Sequence, residues 1–185
     1  MLALNFEPFP QLTTERLELR KLKETDDQEI FIFRSDERIL KYIDIPVAKN
    51  IEDARAFIEK INRFIAGNES AYWGIACKGD DKLIGTICLW NILKDHYRAE
   101  VGFVLHPDQQ GKGYMQEALK AVLDYAFNTM QLHSIEGRVN PANAASIKLM
   151  ERCKFIREAY FKEDYFYEGS FYDTAVYSVL VSDWK

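Results

Sequence analysis

The chain has few cysteines, no basic run and no long apolar segment. Its three cysteines, Cys77, Cys88 and Cys153, show neither a CxxC pair nor a histidine at metal-ligand spacing. That excludes a disulfide framework and leaves each as a thiol expected to be buried among apolar neighbours, as suits a reducing cytoplasm. Lysine and arginine number 24 against 29 acidic residues, for a formal net charge of -5. An acidic chain whose cations are scattered is a poor partner for nucleic acid. The opening MLALNFEPFPQL has no basic stretch and meets Glu7 and Pro8 early, which argues against a signal peptide. No apolar run approaches the ~20 residues that a membrane helix needs.

What is present is material for a core. Of 185 residues, 48% are hydrophobic and 14% aromatic, enough to bury one domain of ordinary size and too many for a disordered chain. Thr14–Leu22 alternates as a strand, with Leu17, Leu19 and Lys21 on one face. Thr25 or Asp26 can then cap a helix that uses Ile30, Phe31, Phe33 and Ile39. Asn50 caps a second helix, where Ile51, Ala54, Phe57, Ile58, Ile61 and Ile65 recur at three and four and Gly67 is the stop. From Ser70 the period changes. SAYWGIACK and LIGTICLWN, joined by GDDK, read as a hairpin. AEVGFVL at 99–105 is apolar almost throughout and belongs in the sheet centre. A glycine loop follows, then a helix from Lys112 to about Thr129 with one apolar stripe. HSIEGRVN is a short strand, ANAASIKLMERCKF a helix beginning near Asn143, and two aromatic strands close the chain. Mixed strands and helices without a linker or repeat, with hairpins beside one strand–helix–strand unit, predict one α/β or α+β domain with a mixed sheet.

Residues 105–119, LHPDQQGKGYMQEAL, raise a question. An ordinary turn needs one glycine, and here two stand two residues apart between a strand and a helix. The first turn of a helix has amide hydrogens without partners and a dipole that favours negative charge. Glycine permits positive φ and close approach of backbone to ligand. Gln110-Gly111-Lys112-Gly113-Tyr114-Met115 can therefore cradle a phosphate or diphosphate, with Lys112 at the rim. It is not a P-loop, because Tyr114 follows Gly113 where Lys is required. Nor is it a dinucleotide fingerprint, because Gln116 stands in place of the third glycine.

About thirty residues on comes NPANAASIKLMERCKF. HPDQQGKGYMQEAL followed at this distance by that segment resembles the GCN5-related N-acetyltransferases (GNAT), and most closely their branch of ribosomal-protein N-terminal acetyltransferases. TERLELRKL, AEVGFVL and the final FKEDYFYEGSFYDTAVYSVL resemble that branch's opening strand, the strand before its diphosphate loop and its closing hairpin. The resemblance covers roughly residues 12–181. It implies a single acetyltransferase domain over 1–185, with a mixed, mostly antiparallel sheet of about seven strands and about four helices. Gln110 and Gly113 match the family's loop pattern, while Met115 departs at its last position. The resemblance implies that amides from Gly111 through Lys112, Gly113, Tyr114 and Met115 to Gln116 hold the diphosphate of acetyl-coenzyme A. Val104 and Leu105 would pair with the pantetheine arm, and Asn143 and Ser146 would face the pantetheine and the thioester sulfur.

Acetyl transfer to an amine needs a base for the ammonium proton, a donor for the carbonyl oxygen and a proton for the departing thiolate. No metal is required. Glu100 is the first candidate for the base, because it stands in the strand before the coenzyme loop. By alternation it shares a side with Gly102 and Val104, unless a bulge at Gly102 shifts the register. It could instead be a rim carboxylate paired with Arg98 or Arg138. Glu163 and Asp164 are rivals from the last hairpin, where Tyr165 occupies the position of that branch's carboxylate. Ser146 is the candidate proton donor to sulfur, or else a helix-capping hydroxyl. Met150 stands where many family members have Tyr, and Lys154 replaces a common Gly. The oxyanion donor would be an amide near Val104 or Leu105. His96, His106 and His133 read as surface or capping residues, and the aromatic residues of the last hairpin as sheet packing or a substrate groove.

The expected activity is transfer of acetyl from acetyl-coenzyme A to a primary amine, either a protein N-terminus or a small amine, by direct attack in a ternary complex. The alternative is a non-catalytic coenzyme A-binding sensor or interaction module. SDERILKYIDIPVAKN is expected in the acceptor wall. The enzyme would be cytoplasmic, a monomer or homodimer, with no membrane or nucleic-acid partner.

Overall fold

The three-and-four apolar repeat stops near Gly67, and there the chain passes from helix to sheet. The computed structural model describes residues 2–184. Its first part is strand β1 (Leu12–Thr13), strand β2 (Leu17–Arg20) and helices α1 (Asp27–Ser35), α2 (Glu37–Leu40) and α3 (Ile51–Ala66). Then follow β3 (Ala71–Cys77), β4 (Leu83–Leu93), β5 (Arg98–Leu105), α4 (Tyr114–Asn128), β6 (Ser134–Val139), α5 (Ala144–Arg152), β7 (Ile156–Tyr167), β8 (Ser170–Leu180) and α6 (Val181–Trp184). Among the described residues one sheet runs β1-β2-β3-β4-β5-β6-β8-β7, and only its β5–β6 pair is parallel. The mixed, mostly antiparallel sheet is the expected one, with β5 inside it. Its eighth strand is β1, two residues long and too short to show a period. Among the described residues two of the six α-helices, α2 and α6, have four residues each, which accounts for the lower expected number.

Two differences have clear causes. The first predicted helix is broken at Asp36, which is extended and turns its side chain to accept the Arg38 N–H, starting α2. Asp26 stands at the cap of α1, but its carboxylate accepts from the Lys23 N–H and from Arg20, with which it forms a buried ion pair. Among the cysteines, Cys153 is buried as expected, while Cys77 and Cys88 are half-buried; all three are free thiols.

The helices cover the two faces of the sheet. On one, α3 sets Phe57 edge-on against Tyr72 of β3. On the other, α4 sets Tyr125 edge-on against Trp73, whose side chain is fully buried. The expected stripe of α4, Met115, Ala118, Leu119, Val122, Leu123 and Ala126, is buried, with Phe127 added. Each large side chain in it contributes roughly 1.5–3 kcal/mol by leaving water. Helix α5 packs on the same face over Gly137. A Cβ there would lie 2.6 Å from the Met150 sulfur, so any larger residue would push the Met150 side chain aside. Met150 is thus a core residue pressed on β6.

Candidate active site

The parallel β5–β6 pair is short. It joins Arg98 to Ser134, Ala99 to Ile135 and Glu100 to Glu136, and then stops. Beyond Glu100, β5 continues to Leu105 paired with β4 alone, while β6 continues to Val139 paired with β8. The strands therefore open into a fork, and the β6-side edge of residues 101–105 has no strand beside it. Unpaired backbone of this kind can accept an extended, amide-bearing ligand. Val104 and Leu105 lie on that free stretch, and the Gln110 side chain reaches the Leu105 carbonyl at 3.4 Å.

Past the open end comes the glycine loop. Gly111 and Gly113 have φ of +75° and +79°, the left-handed region where other residues are strained. Gly113 is the cap of α4, and its carbonyl accepts from Glu117 N–H at 3.1 Å. The expected helix start at Lys112 thus moves to Tyr114, because the chain is left-handed at 113. Among the described residues, no N–H from Gly111 to Gln116 finds a protein acceptor. Nothing stands within 4 Å of a Cβ built at Gly111, and only the Arg16 guanidinium lies near one at Gly113. This is open space ringed by donors at the positive end of a helix dipole, and it fits a diphosphate. Side chains contribute less: Met115 is buried in the core, and the Lys112 ammonium bonds Gln109.

The candidate base, Glu100, lies on the α3 side of the sheet. Pairing between β4 and β5 is regular from Gly85–Leu105 to Trp90–Glu100, so no bulge at Gly102 disturbs the expected alternation. The irregularity falls instead between Trp90 and Leu93. Register puts Trp90, Glu100, Glu136 and Ser178 in one row across four strands. Glu100 is 8% exposed, and neither expected arginine pairs with it. Arg98 bonds Glu136, and Arg138 bonds Asp164 at 3.2 Å. Burial, reinforced by the Glu136 charge, pushes the Glu100 carboxyl up to about 7, against smaller opposing effects of Arg138 and Asn91. Burial likewise raises the Cys88 thiol to about 12, so this neighbour of Gly102 is no nucleophile at neutral pH.

Helix α5 begins from the diverging end of β6. Asn143 caps it, accepting the Ser146 N–H at 3.1 Å. The half-buried Ser146 hydroxyl has no protein partner among the described residues and stays available to donate. Tyr165 donates to Asp44 at 2.5 Å and Tyr167 to the Ile45 carbonyl at 2.9 Å, which brings the hairpin end against the segment expected in the acceptor wall. Burial and Asp44 raise the Tyr165 hydroxyl far above its ordinary range, which fits a donor and not a base. Glu163 is exposed, in a left-handed turn whose N–H bonds Asp173. His106 caps a short turn by accepting the Asp108 N–H, while His96 and His133 are exposed.

Sequence reasoning missed Glu136 and Asp44, because nothing local shows which strands become neighbours. It also missed Arg16, which was read only as one residue of an alternating strand and here binds the start of α4.

The family described as "Acetyltransferase (GNAT) domain" matches residues 16–156, and the chain belongs to it. It is 33% identical to the uncharacterized N-acetyltransferase YnaD of Bacillus subtilis (strain 168), over 94% of this chain and 98% of that one. It is 27% identical to the [ribosomal protein uS5]-alanine N-acetyltransferase of Escherichia coli (strain K12), over 83% of this chain and 81% of the other. The crystal structure of spermidine N-acetyltransferase from Vibrio cholerae in complex with coenzyme A and spermine superposes with a TM-score of 0.80 at 27% identity, over 91% of this chain and 97% of that one. The chain is an N-acetyltransferase that uses acetyl-coenzyme A and acts on an amine. A non-catalytic sensor finds no counterpart among these relatives.

Proposed function

We propose that the β5–β6 fork is the catalytic centre, that Glu100 is its base, and that the acceptor is a protein N-terminus or a small primary amine. The carrying observation is Glu100 itself, a nearly buried carboxylate without an ion-pair partner at the last paired position of the fork. A base with a pKa near the working pH is half ionised and still strong enough to take an ammonium proton. In this reading the amides of Gly111 to Gln116 bind the diphosphate, and the free edge of β5 aligns the pantetheine arm. Glu100 takes the ammonium proton, directly or through one water. A backbone N–H near Val104 or Leu105 donates to the carbonyl oxygen as it gains negative charge. The amine nitrogen then bonds the carbonyl carbon, and the C–S bond breaks as that intermediate collapses; the Ser146 hydroxyl gives a proton to the sulfur and regains one from solvent, into which the second nitrogen proton is released.

Relatives with protein and polyamine acceptors support both amine classes. Free thiols fit a cytoplasmic setting, and no helix among the described residues is long and apolar enough to cross a membrane. Incubating the enzyme with acetyl-coenzyme A and a panel of peptides, polyamines and amino acids, with released thiol as readout, tests the proposal. At least one amine should yield thiol and an acetylated product by mass spectrometry, and Glu100→Gln should suppress both. Full turnover by that variant at every pH would remove Glu100 as base.

A further inference from the structure

Glu117 stands in the first turn of α4, beside the free amides of the loop. Alone, a carboxylate there would suit the helix dipole but repel a diphosphate arriving at the same amides. It is not alone. The Arg16 guanidinium grips it through Nε and Nη2, both at 2.7 Å, and the Arg16 N–H donates to its other oxygen at 2.8 Å. The Thr14 hydroxyl bonds that same oxygen. Burial alone would raise the Glu117 carboxyl, but these bonds hold it below its ordinary value, so it is ionised at neutral pH. Arg16 also donates through Nη1 to the Lys112 carbonyl at 3.0 Å, and its guanidinium lies over the Tyr114 ring at 4.6 Å. Nη2 would be 3.5 Å from a Cβ at Gly113. A guanidinium has five N–H donors, and these bonds use three.

We propose that Arg16 is a positioning residue for the coenzyme: it cancels the charge of Glu117 at the diphosphate loop, so that the free amides meet the anion without an opposing carboxylate. The inference rests on the reading of this loop as the diphosphate site. It assigns a function to a pair that joins the first strands to α4 across about a hundred residues and could otherwise be a simple structural bridge.

Titration calorimetry with coenzyme A on Arg16→Met, Glu117→Gln and the double variant tests it, in low and high salt. Arg16→Met should bind coenzyme A about tenfold or more weakly, because Glu117 is then uncompensated. Glu117→Gln should bind at least as tightly as the parent, and the double variant should return to within about threefold of it. The deficit of Arg16→Met should narrow as salt rises, which a structural lesion would not do. Parent-like binding by Arg16→Met, or a double variant as weak as Arg16→Met, overturns the proposal. If Arg16→Met does not fold, Glu117→Gln decides, and weaker binding by it is the contrary result. Unchanged binding by Gly113→Val would refute the loop reading itself, and this inference with it; loss of binding there beside a parent-like Arg16→Met would refute the inference alone.

Discussion

In the proposed site the coenzyme side of the fork would offer backbone, and the acceptor side would offer side chains. The first consists of the N–H groups from 111 to 116 and the free edge of 101–105, held by a helix whose apolar stripe is buried. The second would consist of Glu100, Glu136, Trp90 and the end of the last hairpin, where Tyr165 and Tyr172 stack at 5.5 Å on the same face of the sheet. A backbone cradle suits one constant ligand, since its donors survive most substitutions. A side-chain wall can change acceptor without disturbing the fold.

The difference predicts separable losses. Gly113→Val should be the most severe, weakening coenzyme A by about a hundredfold or more in calorimetry, because Val at positive φ is strained by roughly 1–2 kcal/mol and its branches fill the open cradle. Glu100→Gln comes next: turnover at neutral pH should fall by roughly 10²–10⁴-fold while coenzyme affinity stays within about twofold. The parent's kcat/KM should climb as pH rises through about 7, where Glu100 loses its proton, and the variant should lack that limb. Stability should move the other way. The folded chain holds the Glu100 proton up to about 7, whereas the unfolded chain releases it near 4.5. Between these values the parent should therefore lose on the order of 3 kcal/mol relative to Glu100→Gln, with the gap constant at higher pH, as read by urea denaturation across pH.

Ser146→Ala should cost about tenfold in kcat, with coenzyme binding unchanged in the same calorimetric titration. Tyr165→Phe should have the smallest effect, a few-fold change in acceptor KM after loss of the Asp44 bond, with no change in coenzyme affinity. If it weakened the coenzyme as much as the acceptor, the two sides would not be separable.

The same contrast governs what could be read from the sequence. Gly111 and Gly113 announce positive φ locally, and the strand–loop–helix pattern around them announces free amides, so this loop's geometry was legible before any coordinates. The bounds of α3 and the buried stripe of α4 followed from their periods. The surroundings of Glu100 and of the last hairpin were not legible in this way. Asp44 and Tyr165 meet across 121 residues, Glu136 becomes a neighbour of Glu100 only through the parallel pair, and Arg16 and Glu117 meet across 101 residues. None of these contacts leaves a local pattern. Glu100 was singled out by its place before the loop, but its raised pKa depends on burial and on Glu136, which spacing does not show.

The account stands on backbone nitrogens aimed at a diphosphate, and a crystal structure of the enzyme grown with coenzyme A tests that most directly. The account predicts diphosphate oxygens within hydrogen-bond reach, about 2.7–3.2 Å, of several N–H groups between Gly111 and Gln116, with the pantetheine arm along the free edge of β5. Coenzyme A seated elsewhere, with those amides facing only water, would contradict it.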